Sequence, residues 1–191
     1  MLKQIMTAYP KDVRFVFKNY PLGMHQNARP AAIAAVAAHQ QGKFWQMHDW
    51  MYSNQGALDA ASLRRAASSL GLDIARYDRA TADPATWRAV EQEMQEGSRA
   101  GVRGTPAFFV NGVQAPSWDF ATMQKLIESA KSGADVGAVA GRIQAEYDAL
   151  QRANQPPPID FSKVHQIDVA QAASRGPATA KVTLVEFSDY Q

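Results

Sequence analysis

A chain of 191 residues, 46% hydrophobic and 20% charged, is long enough and apolar enough to bury a core as one domain of ordinary size. Its formal net charge of +2 is too small and too evenly spread to argue for nucleic acid or an anionic membrane as a partner, and no apolar run approaches the ~20 residues of a membrane span. The cysteine count is zero, which excludes disulfides, cysteine nucleophiles and thiolate metal sites.

Met1 to Ala8 reads as a helix end closed before Pro10, because the residue before proline disfavours helical geometry. Val13-Arg14-Phe15-Val16-Phe17 follows as a predicted strand, with Val13, Phe15 and Phe17 on one face. The apolar Val16 on the other face predicts a sheet covered on both sides. Asn27 to Gly101 reads as a run of helices. Asn27 is a candidate cap, Pro30 sits in a first turn, and Ile33, Val36 and Ala37 mark a stripe among alanines, with Gly42 as the stop. Phe44, Met47, His48 and Met51 repeat as one helix face. Asp59 caps the next helix, with Leu63, Ala66, Ala67 and Leu70 inward and Gly71 closing it. Asp83-Pro84 is a strong start signal for a helix with Trp87, Val90 and Met94 inside, ending between Gly97 and Gly101.

Arg103-Gly104-Thr105-Pro106 then leads into Ala107 to Val110, which reads as a short buried strand. On base rates alone Thr105–Pro106 is trans, and the stretch is equally a plain loop feeding a strand. Asn111-Gly112 is the preferred pair for a type I′ hairpin, so Val113 to Ala115 should return antiparallel. Ser117 or Asp119 caps a helix carrying Phe120, Met123, Leu126, Ile127 and Ala130, broken at Ser132-Gly133. Val136, Val139, Ile143, Tyr147 and Leu150 predict a further amphipathic helix. Docking on the body is preferred to pairing with a second copy, because the stripe is short for a coiled coil. Pro156-Pro157-Pro158 is a stiff linker. Val164 to Val169 reads as an edge strand, Ala172 to Ala180 as a loop, and Val182 to Phe187 as a nearly continuous apolar strand suited to a sheet centre.

Gly104-Thr105-Pro106-Ala107-Phe108-Phe109-Val110-Asn111-Gly112 resembles the cis-proline loop of the DsbA-like thiol-disulfide oxidoreductases, a branch of the thioredoxin fold. Tyr20-Pro21-Leu22, His25, Ala28 and the run Gly42 to Asp49 resemble the start of that family's helical insertion. Val182 to Gln191 resembles the strand that runs into its Cys-Pro-x-Cys motif. The resemblance covers Met1 to about Lys131 and resumes near Val164. It implies an α/β, thioredoxin-like central sheet with an inserted helical subdomain. The element order is rotated, so that a central strand is C-terminal: 1–131 is the body, 132–163 the extra helix and linker, and 164–191 the first strands. Those strands complete the sheet within the chain, as in a circular permutant, or in a second copy by swapping.

The resemblance also implies site residues. Gly104, Thr105 and Pro106 border a groove where an extended or unfolded polypeptide lies by strand addition. Glu186 matches the family's buried acid, a relic without cysteines to serve; otherwise it is a strand-end acid reaching solvent. Thiol–disulfide exchange needs a thiolate, so no catalytic residue and no activity are expected of this chain by itself. One reading makes it a fragment of tandem oxidoreductase repeats; the other makes it a redox-dead peptide-binding or scaffold module. By resemblance it is periplasmic or otherwise exported, although Met1 to Met6 carries no signal-peptide pattern. No cofactor is expected. His25, His39, His48 and His165 are too scattered for a metal site and are assigned to packing or surface. Trp45, Trp50, Trp87 and Trp118 are assigned to the core and the groove rim.

Overall fold

Eight helices and one hairpin follow one another in the computed structural model, which describes residues 1–154. The chain divides into two units, Met1–Gln151 and Arg152–Gln191, and the fold described here is that of the first. The linker, the strands expected at 164–169 and 182–187, and Glu186 lie outside the described residues.

The first core belongs to α2 (Ala28–His39), α3 (Phe44–Ser53), α4 (Ala60–Ser69), α5 (Ile74–Ala82) and α6 (Pro84–Arg99). Helix α2 touches the other four. Its alanines make this possible: Ala34, Ala35, Ala37 and Ala38 are buried, and a methyl side chain lets neighbouring helices approach closely. Ile33 and Val36, expected to lead that stripe, are only half-buried. Met47, Leu63 and Val90 close the core, each fully buried, and each such side chain stabilises by roughly 1.5–3 kcal/mol relative to exposure.

Capping follows the sequence closely. Asp59 accepts from the amides of Ala61 and Ser62, and Asp83 from that of Ala85. Asp73 accepts from Arg76 and starts α5, a helix the periodicity had not separated from its neighbours. Asn27 precedes α2 but makes no side-chain cap bond, which corrects its assignment as a cap. Gly42, Gly71 and Gly133 take φ of 70°, 75° and 73°, the left-handed values that let a chain leave a helix.

The second core gathers α1 (Leu2–Ala8), the hairpin and α7 (Phe120–Ser132). Ile5 and Tyr9 are buried against Met123 and Ile127, with Val13, Phe108 and Val110 packed beside them. Helix α8 (Val136–Asn154) extends this core: Val136, Ala140 and Ile143 are buried with Leu126, next to Val110 and Val113. Its first half therefore docks on the body, as expected, while Tyr147 and Leu150 are exposed.

One strand expectation needs correction, and the other has its expected partner, 182–187, outside the described residues. Val13 to Phe17 alternates as foreseen, with Val13, Phe15 and Phe17 half-buried, and it forms no ladder among the described residues. Val16 is 54% exposed, so its face is not covered there. Ala107 to Val110 contracts to β1 (Phe109–Val110), paired antiparallel with β2 (Val113–Gln114) in the register Phe109 opposite Gln114 and Val110 opposite Val113. Phe109 is exposed rather than buried. Periodicity fixes which side chains share a face, but a ladder needs a partner strand that local sequence does not specify. The turn itself is as expected: Asn111 and Gly112 have φ of 48° and 83°, both positive as a type I′ turn requires.

Candidate functional site

The loop between α6 and β1 is anchored at its root. The Val102 amide donates to the Gly97 carbonyl at 2.9 Å as the helix ends. The Tyr20 hydroxyl donates to the Val102 carbonyl at 3.1 Å and lies 3.1 Å from Ser98 Oγ. Gly97 is what lets the Tyr20 ring lie against α6: a Cβ there would stand 2.8 Å from two ring carbons. One residue earlier, the Asn19 amide and side-chain nitrogen both donate to Glu93 Oε2, at 2.7 and 2.8 Å. Lys18 reaches Glu96 at 2.9 Å, and that carboxylate holds the ammonium above its usual pKa. Lys18 to Tyr20 thus clamp the last turns of α6 and fix where the next residues begin.

Beyond this clamp the chain is open. The Thr105–Pro106 peptide is cis. Gly104 is half-buried, and Thr105 and Pro106 are exposed. Among the described residues, no backbone hydrogen bond is made by Arg103 to Ala107. Gly104, Pro106 and Phe108 line one part of an open groove of ≈ 540 Å³, completed by Pro116 and Trp118. Of the three residues expected at the groove, Gly104 and Pro106 line it, and Thr105 lies between them in the chain.

The far wall is tied to α7. Ser117 Oγ donates to Asp119 Oδ2 at 2.7 Å, and Asp119 Oδ1 accepts from the Thr122 amide at 2.9 Å. Both expected capping residues are therefore engaged, Asp119 as the cap and Ser117 as its support. The Thr122 amide first, then the Ser117 hydroxyl, hold the Asp119 carboxyl down to about 2.

Of the tryptophans, Trp118 is the one at the groove, 57% exposed. None of the four is fully buried, but Trp50 packs against the first core, as assigned. Trp45 stands half-exposed in an aromatic row with Phe15, Phe44 and His48, and Trp87 lies under the Arg29 guanidinium at 4.2 Å. His48 packs on Phe17 and Tyr52 and bonds Asp49, a packing role. No group of metal-ligating side chains exists among the described residues. A second, polar cleft of ≈ 240 Å³ lies where Gln40 and Gln41 face Arg76, Arg79 and Asp83.

Sequence reasoning did not single out Arg103 on the groove wall, nor the pairing of Tyr20 with Gly97. The first had only its place before Gly104 as a signal. The second joins residues far apart in the chain, and a glycine inside a helix was its one local trace.

Residues 1–130 match the family model described as DSBA-like thioredoxin domain. A solved thioredoxin-like oxidoreductase from Silicibacter pomeroyi superposes with a TM-score of 0.54 at 25% identity, over 70% of this chain and 76% of that one. The fold is thus thioredoxin-like with mostly helical content. Among curated proteins, the Na(+)/H(+) antiporter NhaA 3 of Salinispora tropica is 38% identical over 112 residues, 58% of this chain and 17% of its own length. The Na(+)/H(+) antiporter NhaA of Herminiimonas arsenicoxydans is 33% identical over 123 residues, 64% of this chain and 20% of its own. The chain therefore spans about a fifth of the length of these relatives.

Proposed function

Because this chain belongs to the family of DSBA-like thioredoxin domains, we propose that it is the polypeptide-holding part of a thiol–disulfide oxidoreductase module, with the reacting sulfur supplied by residues outside these 191. The chain has no cysteine, and no other side chain carries out thiol–disulfide exchange. What supports the reading is the exposed Thr105–Pro106 loop beside an open groove, with Arg103 to Ala107 making no main-chain bond among the described residues. An extended peptide laid there gains main-chain hydrogen bonds by strand addition. Pro106 has no N–H, so Thr105 and its neighbours must provide those bonds.

The zero cysteine count favours a second reading, a redox-dead binding module that keeps the same groove. The two differ in the parent sequence: the first expects a Cys-x-x-Cys in a tandem repeat, and the second expects none. Antiport, named for the curated relatives, is not assigned to this chain. We place its work outside the cytoplasm, as is typical of the family. We also expect a monomer in dilute solution rather than a strand-swapped homodimer, since closure entropy grows only ~0.6 kcal/mol per doubling of loop length; a stable dimer on dilute sizing contradicts this.

The test is a titration with a cysteine-free extended peptide, followed by turnover assays. Saturable binding that weakens in Thr105→Pro, which removes that residue's N–H, supports the reading, and no binding at millimolar peptide removes it. Insulin reduction and dithiol oxidation should stay at the buffer rate.

A further inference from the structure

Among the described residues, the groove wall carries one charged residue, and it is a cation. Arg103 is exposed and lines the groove together with neutral residues only. Among the described residues it makes no ion pair, while Lys18, Arg64 and Lys131 all do. The nearest acid in sequence, Glu96, pairs with Lys18 at 2.9 Å, and Asp119, next to Trp118 of the wall, spends its oxygens on the Ser117 hydroxyl and the Thr122 amide. Besides the neutral polar Gln114 and Ser117, the wall offers apolar surface from Phe108, Pro116 and the indole of Trp118, 57% exposed. A planar guanidinium matches a carboxylate with two parallel hydrogen bonds, and an exposed indole offers a large flat surface to an aromatic or aliphatic group.

We propose that this groove selects extended polypeptide segments in which an acidic side chain, facing Arg103, stands near a bulky apolar one that lies on Trp118. The inference rests on the peptide-groove reading above and adds the chemistry of the occupant. Basic segments are disfavoured because they place like charge against Arg103, with no acid on the wall among the described residues to relieve it.

The experiment uses the full chain and short, labelled, cysteine-free peptides that differ at one position, Glu, Gln or Lys, ahead of a Phe. A further peptide has Ala for that Phe. Fluorescence anisotropy should rank them Glu, Gln, Lys, with steps of roughly two- to fivefold at low salt that shrink as ionic strength rises. Arg103→Glu should invert the order and Arg103→Lys should keep it. Trp118→Ala should erase the advantage of Phe over Ala. Both positions are exposed, and circular dichroism checks that the variants fold. Equal affinities for the three charge types, or an order unchanged by Arg103→Glu, overturns the selectivity while leaving peptide binding intact. Absence of binding to every peptide overturns both.

Discussion

In the α2–α6 region three helix starts are capped by carboxylates and the helices close a buried core, with Trp45 and Tyr52 left exposed on the outside of α3. Asp59, Asp73 and Asp83 each take up helix-terminal amides, and Met47, Leu63 and Val90 have no exposed surface to speak of. Around the Arg103–Trp118 stretch the opposite holds. Among the described residues, the loop makes no main-chain bond, the sheet has two strands of two residues, and Phe109 and Trp118 stand exposed. The contrast teaches where stability and recognition lie in this fold. The helices hold themselves, and the hairpin side keeps bonding capacity and apolar area for something else to meet.

Breaking the helical side should cost the most. Leu63→Ala should lower unfolding free energy by about 2–5 kcal/mol in a denaturant titration, whereas Trp118→Ala should change it by no more than ~0.5 kcal/mol. Equal losses would erase the distinction between the two regions. The clamp that joins them gives the next effect. Gly97→Ala drives a methyl into the Tyr20 ring and should cost about 1–3 kcal/mol. In a Tyr20→Ala background the same change should stabilise by up to ~1 kcal/mol through helix propensity, and this reversal of sign in a double-mutant cycle identifies the ring contact as the cause.

Asp119→Ala should cost ~1 kcal/mol at neutral pH through the lost cap. Its carboxyl is held down to about 2 in the fold, against 3.8 ordinarily. The stabilisation is thus complete above pH ~4 and is lost as pH falls toward 2. Asp119→Asn should keep most of the cap and remove that acid dependence in a pH series of melts. The smallest effect at neutral pH belongs to Tyr77, whose phenol burial pushes up to about 12, with Asp78 acting the same way. A raised pKa favours the fold fully below pH ~10 and loses that advantage as pH climbs toward 12. Tyr77→Phe should therefore flatten the alkaline limb of the stability profile.

The two regions were also unequally legible. Asp59, Gly71 and Asp83-Pro84 announce helix ends because capping is local chemistry, and Asn111-Gly112 announces its turn for the same reason. Helix α5 escaped because it is short and close to its neighbours, although Asp73 stood at its start. Val13 to Phe17 showed its alternation but not its pairing, which depends on residues distant in sequence. At the site, resemblance pointed to Gly104, Thr105 and Pro106. Arg103, and the hold of Tyr20 on Val102, are visible only when the fold brings them together.

The most direct measurement is amide shift mapping on isotope-labelled chain as an extended, cysteine-free peptide is added. Saturable shifts confined to Val102 through Trp118 are the expected result. Shifts centred instead on the polar cleft of Gln40, Arg76 and Asp83, or none at millimolar peptide, would contradict a groove kept for polypeptide in a chain without sulfur chemistry of its own.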